Sequence, residues 1–278
     1  NIYYLSGFRG DDSYLLVTSQ KIFLFSDARY RDELYAAKVP FQPVIRTGGE
    51  SLMDVLNHVL VKHKIHALGF EPGHISYQAY VKMRKDLRIK TFTPCARMIE
   101  QLRVAKSRSE LTRIQRAIYV AEKALRRAMG DLARFKREKD LSDYLEYEMR
   151  QGGADHSSFP TIVACGRRSA FPHAVSSNAL IQKEAALLID FGARFGGYCS
   201  DLTRTFFLGR MNGRFKHVYS LVKEAQAVAM SRIRAYASIS SVDAAVRNYF
   251  KKQNVARFFG HATGHGIGLE VHESPSLL

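Results

Sequence analysis

Leu187-Leu188-Ile189-Asp190-Phe191-Gly192-Ala193-Arg194-Phe195-Gly196-Gly197-Tyr198-Cys199-Ser200-Asp201-Leu202-Thr203-Arg204-Thr205-Phe206-Phe207 is the stretch on which the fold turns. Two runs rich in β-favouring residues flank Gly196-Gly197, the pattern of a β-hairpin. A turn centred on the glycines sets Phe195 opposite Tyr198, Gly192 opposite Asp201, and Asp190 opposite Thr203. Side chains alternate faces along a strand, so Asp190 and Asp201 become diagonal neighbours on one face. Two carboxylates beside apolar runs, with no lysine near, are costly unless paired. A cation between them removes the cost, and two divalent ions roughly 3.5–4 Å apart suit such a diagonal. The plainer alternative is a pair of exposed hairpin aspartates. A turn one residue longer or shorter would put them on opposite faces.

Working outward, the 278 residues suffice for one large domain or two ordinary ones. No apolar run is long enough to span a bilayer, and the first residues carry no signal-peptide pattern. The chain opens on Asn1 rather than Met, so the natural N-terminus is expected upstream. Cys95, Cys165 and Cys199 are scattered and odd in number, which fits a reduced, cytoplasmic protein better than a disulfide scaffold. Lys and Arg (42) outnumber Asp and Glu (26), a formal charge of +16. The basic residues are spread along helices and no nucleic-acid motif accompanies them. A solvated basic surface is the reading, with neither nucleic acid nor membrane as partner.

Residues 1–102 read as an α/β unit. Strands are expected at Ser13 to Thr18, Lys21 to Phe25, Phe41 to Arg46 and Ala67 to Phe70. Helices are expected from Arg29 to Lys38, from Ser51 onward with Leu52, Val55, Leu56, Val59 and Leu60 at helical spacing, and from Tyr77 to Leu87. His58, His63, His66 and His74 are scattered without clustered carboxylates and read as surface or packing residues. A second unit begins near Leu102. Ser107-Arg108-Ser109-Glu110 is a capping box that opens a helix burying Leu111, Ile114, Ile118, Ala121 and Leu125. Further helices follow at Leu141 to Gln151, at Phe215 to Tyr236 with Val218, Leu221, Val222, Ala225, Val228 and Ala229 inward, and at Ser241 to Asn254. Phe159 to Gly166 is a strand running into a loop with Phe171-Pro172-His173. His173 is either a proton donor and substrate contact or simply a loop residue.

The second informative stretch is Phe259-Gly260-His261-Ala262-Thr263-Gly264-His265-Gly266-Ile267-Gly268-Leu269-Glu270-Val271-His272-Glu273. His261 and His265 stand four apart, as zinc ligands on a helix can. The glycines make a helix untenable, so a glycine-rich loop entering a strand is expected. Three histidines in twelve residues on such a segment exceed what packing alone requires.

Ile189-Asp190-Phe191-Gly192, Cys199-Ser200-Asp201-Leu202-Thr203-Arg204-Thr205 and the stretch from His261 to Glu273, in this order, resemble the pita-bread metallopeptidases. The Xaa-Pro branch, aminopeptidase P and prolidase, is the nearest in pattern, and Pro172-His173 resembles it too. Residues 1–102 resemble its creatinase-like N-terminal domain. The resemblance implies an α+β fold: a curved antiparallel sheet backed by the helices at 109–130, 215–236 and 241–254, preceded by the smaller α/β domain. Domains are expected at 1–102, N-terminally incomplete, and 103–278, C-terminally incomplete.

The resemblance further implies a centre of two divalent ions, manganese first among manganese, cobalt and zinc. Asp190, Asp201 and His265 match three of five ligands. His173, His261 and His272 match the histidines that hold substrate and move protons. The other two ligands are glutamates of the family's C-terminal strands, expected beyond Leu278; Glu270 and Glu273 match other positions. A fragment of a longer chain is expected rather than a degenerate member, and residues 1–278 alone are expected to be inactive. The implied activity is hydrolysis of Xaa-Pro bonds, as aminopeptidase or dipeptidase, by a homodimer. Alternatives are a methionine-aminopeptidase-like enzyme and a non-catalytic binding module on the same fold.

Overall fold

The computed structural model describes residues 1–36 and 39–277. The chain divides into two compact units, residues 1–102 and 103–278. The first unit runs α1 (Ile2–Ser6), β1 (Tyr14–Val17), β2 (Ile22–Asp27), α2 (Arg31–Ala36), β3 (Gln42–Arg46), α3 (Leu52–Lys62), β4 (Ala67–Phe70), α4 (Tyr77–Asp86), β5 (Thr91–Pro94) and α5 (Met98–Leu102). β2 pairs antiparallel with β1 and parallel with β3, and β4 pairs parallel with β5. Ser51 caps α3 in a capping box with Asp54, and α3 buries Met53, Val55, Leu56, Val59 and Leu60 on one side. That side packs with Phe23 and Phe25 of β2. The last positions of the helix expected from Arg29 to Lys38 lie outside the described residues.

The second unit runs α6 (Arg108–Gly130), α7 (Glu138–Gln151), β6 (His156–Ser157), β7 (Ile162–Cys165), β8 (Ala185–Phe191), β9 (Ala193–Phe195), β10 (Tyr198–Cys199), β11 (Leu202–Leu208), α8 (Gly213–Arg232), α9 (Ile239–Lys252), β12 (Gly264–Gly266) and β13 (Glu273–Leu277). Three antiparallel groupings carry it: β11-β8-β7, β10-β9-β6 and β12-β13. Ala121, Ala124 and Ala128 of α6 and Leu141, Leu145 and Met149 of α7 pack on Val163, Leu187, Ile189 and Phe191. Alanines on the helix let it approach the sheet closely, so the large side chains of β8 fill the space between.

The hairpin has the expected register: Phe195 pairs with Tyr198 and Asp190 with Thr203. Gly196 and Gly197 take φ of 55° and 86°. Positive φ at both turn positions gives the twist that a two-residue hairpin needs, and glycine adopts it freely. Between these pairs the hairpin is interrupted, so the expected pairing of Gly192 with Asp201 is replaced by a break. A side chain at Gly192 would meet the Ser200 carbonyl at 2.0 Å. Backbone crosses backbone there, β8 ends, and β9 begins in another sheet.

Two helices bury narrower stripes than their spacing suggests. In α6, Ile114, Ala117, Val120, Ala121, Ala124, Leu125 and Ala128 are buried, whereas Leu111 is exposed. In α8 only Leu221, Ala225 and Ala229 are buried, and Val218 and Val222 face solvent. Ala225 and Ala229 pack against Val242, Val246 and Phe250 of α9. Small residues four apart bring two helices close along one line, and neighbours off that line splay outward.

Candidate metal centre

Asp190 is the last residue but one of β8, and Asp201 stands at the hairpin break, between β10 and β11. Thr203 Oγ1 donates to Asp190 Oδ1 at 2.7 Å across the register pair. That bond occupies one carboxylate oxygen and orients the other. His265, in β12, brings its Nε2 to 3.4 Å from Asp201 Oδ2. Its Nδ1 faces the Gly266 carbonyl at 3.0 Å. A carbonyl only accepts, so Nδ1 donates there and Nε2 is left to face Asp201. Two donors facing each other want a cation. A separation of about 3.4 Å is also what two donors have when each lies about 2.1 Å from one tetrahedral ion.

The electrostatics point the same way. Burial, and then the charge of Asp190, push the Asp201 carboxyl above the ordinary carboxylate range, while His265 and His272 pull it down. The His272 ring lies 4.2 Å from the His265 ring, centroid to centroid. Asp190, Asp201, His265 and His272 therefore form one constellation. His173 stands exposed on the loop after Ala170, and His261 is exposed with its ring edge-on to Phe259 at 4.5 Å. Among the described residues no hydrogen bond or ion pair joins either to the aspartates.

The loop that carries His173 has its own anchor. Glu138, fully buried at the start of α7, accepts from Cys165 N at 2.9 Å, Arg168 Nε at 3.0 Å and Ser177 Oγ at 2.8 Å. Arg168 also donates to the Val175 carbonyl at 2.6 Å. One carboxylate thus ties both ends of residues 165–177. The Gly264–Glu273 segment is tied as firmly. Cys199 N donates to the Gly268 carbonyl at 2.7 Å, and Thr263 Oγ1 to Asp243 Oδ1 of α9 at 2.6 Å. Glu138 does not signal itself in the sequence, because its side-chain partners are distant, and Asp243 signals only its i+4 neighbour Arg247 and not Thr263, twenty residues on.

Among the described residues, one group sets three ligand atoms within 4.8 Å of one another: Glu71, His74 and Glu100, in the first unit. His74 was read above as a surface or packing histidine, since Glu100 is 26 residues away and belongs to α5. Asn1 Nδ2 donates to both Glu71 and Glu100, the latter at 2.6 Å, and lies 3.4 Å from His74 Nε2. The amide already satisfies both carboxylates, so a metal here would have to displace it.

The architecture, antiparallel sheets backed by helices after a creatinase-like unit in the sequence, is that of a metal-dependent hydrolase of the pita-bread type. Residues 112–278 match metallopeptidase family M24, and residues 1–105 match the creatinase/prolidase N-terminal domain. The chain belongs to metallopeptidase family M24. An Xaa-Pro dipeptidase of Pyrococcus horikoshii is 32% identical over 279 residues, covering 100% of this chain and 77% of that protein. An Xaa-Pro dipeptidase structure from Bacillus anthracis superposes with a TM-score of 0.93 at 33% identity, over 99% of this chain and 77% of that one. An X-Pro aminopeptidase structure from Thermotoga maritima gives 0.91 at 32% identity, over 99% and 78%.

Proposed function

We propose that the intact protein is a metal-dependent peptidase that hydrolyses the bond between a residue and a following proline. Family membership and the names of the relatives above support the reaction class. One observation carries the site: His265 Nε2 faces Asp201 Oδ2 at 3.4 Å while Asp190 adds a second negative charge to the same place. Asp190, Asp201 and His265 are the residues that would hold the metal. Two ions, manganese foremost, are the proposed complement. When bound, divalent metal supplies a water acidified to near-neutral pKa and a Lewis acid for the scissile carbonyl.

The chain's own residues do the rest. Thr203 keeps one Asp190 oxygen engaged, so the carboxylate cannot rotate away from the site. Gly266 fixes the His265 tautomer. His272, its ring tilted against that of His265, is placed to donate a hydrogen bond to the oxygen on which charge develops, the role that costs most when lost. His173 and His261 are proposed as contacts for the substrate's ends. A homodimer in the cytoplasm is the proposed setting; among the described residues no helix is long and apolar enough to cross a membrane.

The test is turnover of Xaa-Pro dipeptides and of longer Xaa-Pro peptides by the full-length protein with added manganese. Hydrolysis abolished by chelator and restored by manganese is the expected result. Cleavage of Met-Ala but not Xaa-Pro would move the protein to the methionine-aminopeptidase type. No peptidase activity together with salt-dependent nucleic-acid binding would make it a binding module.

A further inference from the structure

Glu273 immediately follows His272, and its side chain is only 5% exposed. Its carboxylate lies on Arg103, whose side chain is 4% exposed, and on Lys106 Nζ at 3.1 Å. The same carboxylate accepts the backbone N–H of Glu270 at 3.1 Å. A side chain that bonds the backbone three residues before it closes a short loop, here Glu270–Glu273, with His272 at its crest. The carboxylate also fills the space over Gly268, where a Cβ would meet Glu273 Oε2 at 2.4 Å. Gly268 in turn holds Cys199 through its carbonyl, two residues before Asp201.

We propose that Glu273, fixed by Arg103 and Lys106, is the positioning residue for His272, holding its ring against His265 and over Asp201; this rests on the peptidase reading above. The physical argument is one of fit and charge. Buried Arg103 and half-buried Lys106 pull the carboxylate to one spot, and an ion pair with several partners, out of reach of most solvent, tolerates little movement. The segment leading into the loop carries Gly264, Gly266 and Gly268, and between β12 and β13 no helix or strand stiffens it. Among the described residues the loop's other ties, the Gly268 N–H to the Glu270 carbonyl at 3.0 Å and Arg103 to Glu270 Oε2 at 3.4 Å, stop short of His272. A displaced ring of about 1 Å costs on the order of a hundredfold in rate.

The test is a double-mutant cycle in the full-length protein with Glu273→Gln and His272→Ala. Glu273→Gln is expected to lower kcat by ten- to a hundredfold with KM changed less than about threefold. In the His272→Ala background the same change is expected to cost less than about twofold, because the group it positions is gone. Glu273→Asp, which keeps the charge, should recover part of the loss. Multiplicative losses, or wild-type kcat in Glu273→Gln, would overturn the proposal. Should Glu273→Gln fail to fold, Lys106→Met carries the same cycle. A second readout is independent of turnover: the ring-to-ring nuclear Overhauser effect between His265 and His272 in metal-free protein, expected to vanish in Glu273→Gln. Its persistence overturns the positioning role even if the wild type proves inactive on Xaa-Pro peptides, an outcome that by itself would count only against the reaction.

Discussion

His265 donates its Nδ1–H to the Gly266 carbonyl and faces Nε2 to Asp201, whose carboxyl burial already pushes up. His74 sits instead in a knot satisfied by an amide. The two histidines should therefore behave oppositely. His265→Ala is expected to lower Xaa-Pro turnover by more than a hundredfold, above the ten- to hundredfold usual for outer-sphere partners. His74→Ala should stay within about twofold, as exposed substitutions usually do. Steady-state kinetics of both variants in saturating manganese decide it, and equal losses would place the metal wrongly. At this scale the sequence was informative where neighbours are local. Asp190 could be set opposite Thr203 from the Gly196-Gly197 turn alone. The break at Gly192 could not, because it arises from a Ser200 carbonyl crossing the strand. Nor could Glu273 be paired with Arg103, whose charge lies 170 residues away in the chain.

Helices brace the two loops of the site through buried carboxylates, and each brace has a consequence. Asp243 of α9 binds Thr263 and Arg247, both at 2.6 Å. Burial alone would raise its carboxyl, but the hydrogen bonds from Arg247 and Thr263 win and hold it below its ordinary 3.8. A lowered folded-state pKa gives stability that is full above 3.8 and is lost as pH falls through the folded value. Melting curves between about pH 5 and 3 should thus fall more steeply for wild type than for Asp243→Asn. Parallel curves would contradict the brace. For Glu138, removal strands the Cys165 N–H and the Arg168 guanidinium. Glu138→Ala is expected to cost on the order of 3 kcal/mol, the low end for a broken buried pair, because Arg168 is itself partly exposed. Chemical denaturation measures it, and a change under about 0.5 kcal/mol would show that solvent replaces the clamp. The spacing of apolar residues located α6, α8 and α9. It overestimated their buried stripes at Leu111, Val218 and Val222, because periodicity marks a face while the partner's shape sets its width.

Across the whole molecule, each unit has its own core, and the carboxylate and histidine set assigned to catalysis lies wholly in residues 103–278. The fold was legible because its hairpin, the Ser107–Glu110 capping box and the glycine-rich segment are local signals. The long-range ion pairs that stiffen the site were not, since any of many basic residues could have met each acid. The first unit contributes the competing Glu71, His74 and Glu100 group, so among the described residues there are two candidate places for a metal. The most direct test is an anomalous difference map at the manganese edge from crystals of the full-length protein soaked in manganese. The account predicts density among Asp190, Asp201 and His265. Density at Glu71, His74 and Glu100 with none at the aspartates would contradict it.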